Sequence, residues 1–157
     1  EPELIETKLL RNPVLDQIHI HADGTKTSVV ALVVPEETVL RRSAVDRGIS
    51  PDGTPLSELC ALPAVKALVV QEIMTEAKKA GLVNHQIPAA VALHPTRFTP
   101  ENGLMTSSNK PNRPAIERTF TDVFATLYEE AETIDLQLAA TLHDVGSGVG
   151  EDGRLPE

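Results

Sequence analysis

The sequence predicts an α+β domain in which a small β-sheet, a hairpin plus further short strands, is covered by helices on its faces. Two observations support this prediction. Ile18 and Ile20 alternate with polar residues ahead of the β-branched run from Thr27 to Val34, and such a pair of segments is typical of a hairpin with one buried strand. Helical patterns occur on both sides of the hairpin, and the most regular of them covers residues 63–80.

Turn formers divide the rest of the chain into short elements. Pro2 begins and Asn12-Pro13 ends a first helix, and Asp23-Gly24 supplies the turn of the hairpin. The cluster of turn residues from Ser50 to Pro55 indicates a surface insertion. The elements predicted after the hairpin are helices at 36–47, 56–62 and 63–80, a strand at 87–93, a strand of two or three residues at 104–106, and a helix from 114.

The last helix leaves two alternatives open. Its apolar face keeps the helical phase as far as Leu138, so it is either one long helix or two helices around Glu130. After Asp144 the composition changes to glycine and acids, which is typical of a linker. We therefore predict a domain over residues 1–130, followed over 131–157 by a helical extension and a flexible Gly-rich acidic tail.

The composition excludes several classes of function. The chain has 157 residues, and its 23 acidic against 14 basic side chains give a net charge of −9, so we expect no nucleic-acid binding. The single cysteine, Cys60, excludes an internal disulfide, and we expect it to be buried and structural. No apolar run approaches the roughly 20 residues that span a bilayer, and we expect a soluble cytoplasmic protein.

A polar, turn-rich loop over residues 98–114 is the richest candidate site. It carries two cations, Lys110 and Arg113, just before the helix that begins at Pro114. A lysine on such a loop is a compact, mobile charge that can reach phosphate or carboxylate oxygens, and Arg113 lies close to a helix N-terminus. The alternative is a solvated loop with snorkelling cations.

The same loop carries a longer motif. It resembles the end of long-chain acyl-CoA synthetases, members of the adenylate-forming superfamily, in Glu101-Asn102-Gly103-Leu104-Met105-Thr106, then Lys110, then Arg113-Pro114. The similarity extends from Glu1 to Tyr128 and includes, in the family's order, the segments Val29–Pro35, Glu58–Cys60, Val65–Lys66 and Ala80–Leu82. It implies that residues 1–130 are the C-terminal lid subdomain of such an enzyme, without its hinge or its large N-terminal adenylation domain.

The resemblance also implies a two-step reaction. A carboxylate attacks ATP to give an acyl-adenylate and pyrophosphate, and a thiol then displaces AMP, with the small subdomain rotating between the steps. Lys110 matches the catalytic lysine of the first step, and Arg113 matches a basic position that serves either phosphate contact or loop anchoring. Asn109, where shorter-chain relatives carry Gly, and Pro111 depart from the family's pattern.

Cofactors and partners follow from the same resemblance. ATP, Mg²⁺ and CoA would serve the full-length enzyme, whereas this fragment alone would bind none of them and would not catalyse the reaction. The implied partners are the N-terminal adenylation domain, fatty acid, CoA and, in one alternative, a carrier domain. The implied location is the cytoplasm, or a membrane surface reached through the parent enzyme.

Two other functions stay open. One is the lid of a modular enzyme such as carboxylic acid reductase, because Gln86-Ile87-Pro88 resembles that family and residues 136–145 could begin a carrier domain. The other is a non-catalytic interaction module, against which Lys110 argues.

Two minor features of the sequence are interpreted as having no function. His19 and His21 share one strand face and could pair on a metal, but no carboxylate or third histidine follows at a ligand-like spacing. We therefore expect an exposed polar face and no metal site. The glycines of residues 146–150 resemble a phosphate-binding loop, but no strand precedes them, and we interpret them as linker.

Overall fold

The computed structural model describes the backbone of residues 1–151 and the side chains of residues 1–143. A helix, a hairpin, three helices and a third strand occupy the chain up to residue 93, and two helices follow the 98–112 loop. The elements in chain order are α1 (Pro2–Leu9), β1 (Leu15–Ala22), β2 (Val29–Pro35), α2 (Glu37–Asp46), α3 (Leu56–Ala61), α4 (Pro63–Lys79), a 3-10 turn (Asn84–Gln86), β3 (Val91–Leu93), α5 (Arg113–Thr119) and α6 (Thr121–Glu151).

The strands form one sheet in the order β1-β2-β3. β1 and β2 are the predicted antiparallel hairpin, with His19 opposite Leu32 and His21 opposite Val30. β3 pairs in parallel with β2. Every residue of β2 is buried, because this strand is central and has helices against both of its faces. The predicted α+β class, with helices covering a small sheet, is confirmed.

Each face of the sheet has its own apolar core. Alternate residues of the hairpin, including Ile20 and Val33, pack with α1, α2 and α4 on one face. Val30 and Leu32 pack with α5 and α6 on the other. β2 therefore supplies side chains to both cores.

Three local predictions need correction. The helix predicted from Pro114 is divided at Phe120, whose φ of −110° and ψ of 20° end α5, and it is not divided at Glu130. Only Val91–Leu93 of the strand predicted over 87–93 joins the sheet. The strand predicted at 104–106 is reduced to a single bridge between Met105 and Pro111.

The end of α6 also differs from the predicted linker. The helix continues to Glu151, so the glycines of 146–150 lie within it, because glycine weakens a helix without removing its backbone hydrogen bonds. Residues 152–157 of the predicted tail lie outside the described residues. Among the side chains of α6 that are described, Ala131 is the last that is buried, and residues 132–143 are exposed. Within residues 1–151, none of the helices combines the length and apolarity that a membrane crossing requires.

Candidate functional site

The Lys110 loop, residues 98–112, folds back on itself as a small ladder. The Thr106 N–H donates to the Lys110 carbonyl (2.7 Å), and the Lys110 N–H donates to the Thr106 hydroxyl (3.2 Å). Asn109 closes the turn between them in the left-handed region, with φ of 59°. Asparagine tolerates this conformation far better than most residues.

The base of the loop is held by amide side chains. Asn102 Oδ1 accepts from the N–H groups of Thr99 (2.9 Å) and Leu104 (3.1 Å). Gln17 of β1 exchanges two hydrogen bonds with the backbone of Phe98, at 2.7 Å and 3.0 Å. The loop is therefore built on the sheet by hydrogen bonds that leave its tip free to meet another surface.

Lys110 lies at this tip with its side chain exposed. Its ammonium group has no hydrogen bond or ion pair with any of the side chains described for residues 1–143. Pro111 restricts the backbone of Lys110 to extended conformations, which suits the ladder. The geometry thus presents one positive charge on an ordered loop.

Arg113, the second predicted site residue, points away from the tip. Its guanidinium donates to Glu6 Oε1 (2.8 Å) and Oε2 (3.1 Å) and to the Ile20 carbonyl (3.1 Å). Partial burial disfavours the charge of Arg113, but the hydrogen bonds and charge of Glu6 outweigh it and raise its pKa. Arg113 therefore ties the start of α5 to α1 and β1.

A further group of polar side chains lies between β1 and α5. His19 Nε2 contacts Glu117 Oε1 at 2.8 Å, and His21 Nδ1 contacts Glu117 Oε2 at 2.5 Å. The His21 ring is stacked on Phe124 with centroids 4.5 Å apart. We call these three residues the His-His-Glu cluster.

The prediction of an exposed histidine face is wrong for His19, which is 1% exposed. The two histidines do share a strand face, but α5 and α6 cover it. Burial lowers the pKa of His19, while its hydrogen bond to Glu117 opposes that shift. The carboxylate escaped sequence analysis because Glu117 lies 98 residues beyond His19, at no recognisable spacing.

Two further features are an open cleft and the side chain of Cys60. An open cleft of about 770 Å³ lies beside the Lys110 loop, and its walls include Gln17, Arg97 and Asn109. Cys60 was expected to be buried but is only half-buried. Partial burial raises its pKa to about 11, so the thiol stays protonated at neutral pH. This inert state agrees with a structural role for Cys60.

Comparison with known proteins identifies relatives of the chain. No family model matches it. Human long-chain-fatty-acid–CoA ligase 6 is 32% identical over 127 residues, which cover 81% of this chain and 18% of that protein. The peroxisomal long chain acyl-CoA synthetase 6 of Arabidopsis thaliana is 34% identical over 134 residues, which cover 85% of this chain and 19% of that protein. The chain is a homologue of the long-chain acyl-CoA synthetases.

Solved structures with the same fold come from adenylate-forming enzymes. The A-PCP didomain of carboxylic acid reductase from Segniliparus rugosus, in complex with AMP, superposes with a TM-score of 0.65 at 20% identity, over 82% of this chain and 16% of that one. The adenylation domain of the carboxylate reductase from Mycobacterium chelonae gives a TM-score of 0.65 at 24% identity, over 81% of this chain and 17% of that one. This synthetase homologue therefore has the fold of one part of an adenylation domain. The chain spans less than a fifth of the length of the curated relatives described above.

Proposed function

We propose that the chain is the C-terminal lid of an ATP-dependent long-chain fatty acid–CoA ligase. Its large N-terminal adenylation domain would carry the nucleotide and acyl pockets, and the fragment alone would not be competent. ATP, Mg²⁺ and CoA would act in the full-length enzyme, in the cytoplasm or at a membrane reached through its other parts.

One observation carries this proposal: an exposed lysine on an ordered loop of a synthetase homologue. In the first step, a carboxylate oxygen of the fatty acid attacks the α-phosphorus of ATP, and pyrophosphate leaves. Negative charge accumulates where the carboxylate and the α-phosphate approach one another. A positioned ammonium group lowers that barrier, because it stabilises charge that develops in the transition state. Lys110 would supply it.

The second step explains why such a lysine belongs on a lid. The CoA thiol attacks the acyl carbonyl, and AMP leaves as the thioester forms. This step needs a different surface beside the adenylate, so a subdomain that brings Lys110 in for the first step must withdraw it for the second. The Lys110 ammonium group, at the tip of the loop, contacts none of the described side chains, which is consistent with such a movement of the subdomain.

Arg113 fits the anchoring alternative better than direct phosphate contact. Glu6, itself buried, engages the guanidinium with two hydrogen bonds, and the Ile20 carbonyl takes a third. We infer that Arg113 holds the first turn of α5, and with it the loop that ends at Asn112, on the sheet.

The decisive experiment replaces Lys110 by alanine in the longer protein that contains this chain. We expect Lys110→Ala to reduce the rate of acyl-adenylate formation by at least a hundredfold, measured by ATP–pyrophosphate exchange with a panel of fatty acids. Thiolysis of preformed acyl-adenylate by CoA should change by less than threefold in a single-turnover assay. Lys79→Ala, at an exposed lysine of α4, is the matched control and should leave both steps unchanged.

Other results would refute specific parts of the proposal. Equal losses in both half-reactions would show that Lys110 does not serve adenylation selectively. An absence of pyrophosphate exchange in the unsubstituted protein with every acid would favour a non-catalytic interaction module.

The second candidate is the lid of an enzyme that passes the acyl group to a carrier domain. The fold similarity to carboxylic acid reductases favours it. The acceptor distinguishes the two candidates: CoA should support turnover of a ligase, whereas a reductase should load a phosphopantetheinylated carrier domain and ignore free CoA. Both candidates share the role proposed for Lys110.

A further inference from the structure

The His-His-Glu cluster lies outside the Lys110 loop, and the step proposed for Lys110 involves none of its members. His19, His21 and Glu117 each bring one ligand atom, and these atoms all lie within 4.8 Å of one another. Two imidazole nitrogens and one carboxylate oxygen are the donor set that zinc commonly takes in proteins with an open fourth position.

Contacts within the fold bring these three side chains together. His19 and His21 are alternate residues of β1, so both rings project from one face of the strand. Glu117 approaches that face from α5, whose first turn is fixed by the contacts of Arg113 with Glu6 and Ile20. The His21 ring is further held by stacking on Phe124 and by the edge of Tyr128.

Burial and charge suit a cation at this position. His19 is shielded from solvent, while the side chains of His21 and Glu117 are 21% and 38% exposed, which leaves a path from solvent. The positive charge nearby, Arg113, is already neutralised by Glu6 and lies close to Glu3. The carboxylate of Glu117 therefore faces two imidazoles with no lysine or arginine paired to it in the described part of the chain.

We propose that His19, His21 and Glu117 form a binding site for one Zn²⁺ ion, with the fourth position open to solvent. The bound ion would connect β1 to α5, the helix that follows the Lys110 loop. This proposal departs from the sequence-based expectation of no metal site, because the third ligand becomes evident only in the folded chain.

Zinc binding requires the three ligand atoms to move relative to one another. Ligand atoms around a tetrahedral zinc ion at a Zn–N distance of about 2.0 Å lie roughly 3.3 Å apart. His19 Nε2 and Glu117 Oε1 are 2.8 Å apart, so they must separate by about half an ångström. The widest pair of ligand atoms in the cluster lies within 4.8 Å, so it must close by up to about 1.5 Å. Nδ1 of His19 has no hydrogen-bond partner within residues 1–143, so Nε2 carries the ring proton that Glu117 accepts. Binding of Zn²⁺ at Nε2 would place that proton on Nδ1, for which residues 1–143 supply no acceptor.

Metal titration of the chain without an affinity tag tests the proposal directly. We expect one Zn²⁺ per chain by isothermal titration calorimetry and, with Co²⁺ as a spectroscopic probe, visible d–d bands of a low-coordinate site. Glu117→Gln and His21→Gln should each weaken Zn²⁺ binding at least tenfold and abolish the Co²⁺ bands. His85→Gln, at an exposed histidine outside the cluster, is the matched control and should change neither.

Folding is checked separately by far-UV circular dichroism, and His21→Gln alone decides the test if Glu117→Gln fails to fold. A Zn²⁺ stoichiometry near zero, or equal affinity in the parent, His21→Gln and His85→Gln proteins, would overturn the site. The outcome is independent of ligase activity, so it stands or fails apart from the proposed function.

Discussion

At the scale of single residues, the site depends on side chains whose neighbours set their behaviour. Lys110 keeps an exposed ammonium group, whereas Arg113, three residues later, is taken up by Glu6 and Ile20. The sequence left Arg113 between phosphate contact and loop anchoring, and the tertiary structure shows its guanidinium engaged by Glu6 and Ile20. Asn109 is the other residue with a specific task, because its positive φ turns the loop tip.

The burial of His94 predicts that the free energy of unfolding depends on pH. The ring packs against Phe98 and Phe120, with centroids 6.4 Å and 5.0 Å away, and burial lowers its pKa below the ordinary value of 6.5. The unfolded chain therefore binds a proton at this ring at a higher pH than the folded chain does. The stability that the neutral ring supports is present above pH 6.5 and is lost as the pH falls toward the lowered pKa of the folded state.

Urea unfolding between pH 5 and pH 8 measures this effect. We expect the free energy of unfolding to decrease with falling pH less steeply in His94→Gln than in the parent chain. His85→Gln, at an exposed ring, should retain the parent slope. Identical slopes in all three proteins would show that His94 is not linked to folding.

At the scale of elements, α6 behaves as two different stretches. Its first part packs on the sheet through Phe124 and Leu127, both 2% exposed. Its later part exposes apolar side chains, including Leu138 at 55% and Leu142 at 63%. The apolar period is the same in both stretches, so the pattern predicted a helix correctly but could not tell where its contacts with the core end.

Two alanine substitutions test this division. Leu127→Ala should lower the free energy of unfolding by about 2–5 kcal/mol, because it removes a buried side chain and leaves a cavity. Leu142→Ala should change it by less than about 0.5 kcal/mol, because the side chain is already in solvent. A large loss from Leu142→Ala, measured by urea unfolding, would show that this stretch is packed in solution.

At the scale of the whole molecule, β2 couples the two cores. Val33 faces the core built with α1, α2 and α4, while its neighbours Leu32 and Val34 face the core built with α5 and α6. A strand that contributes to both cannot leave one core intact while the other unfolds. We therefore expect one cooperative transition.

Tyr128 allows this coupling to be measured, because it is the single tyrosine and the chain has no tryptophan. It lies in the core built with α5 and α6, whereas Ile73, 1% exposed, lies in the opposite core. Ile73→Ala should lower the urea midpoint detected by Tyr128 fluorescence as much as the midpoint detected by far-UV circular dichroism. A Tyr128 transition that stayed at the parent midpoint would indicate two independently folding layers.

The sequence by itself determined the features that depend on neighbouring residues. Alternation around Ile18 and Ile20, helical periods and turn formers predicted the hairpin, most helices and the α+β class, because these signals are local. The motif from Glu101 to Pro114 predicted the Lys110 loop and the resemblance that the curated relatives confirm. The roles of Lys110 and Arg113 stay predictions for the experiments described above.

Only the tertiary structure decided which distant side chains meet. Glu117 reaches His21 across 96 residues, and Arg113 reaches Glu6 across 107. No periodicity encodes such contacts, because they arise when α5 packs on the strand face that carries the histidines. The same packing covers the strand face of His19 and His21, which was expected to be exposed, and brings three ligand atoms together. The burial of a strand face depends on which helix covers it.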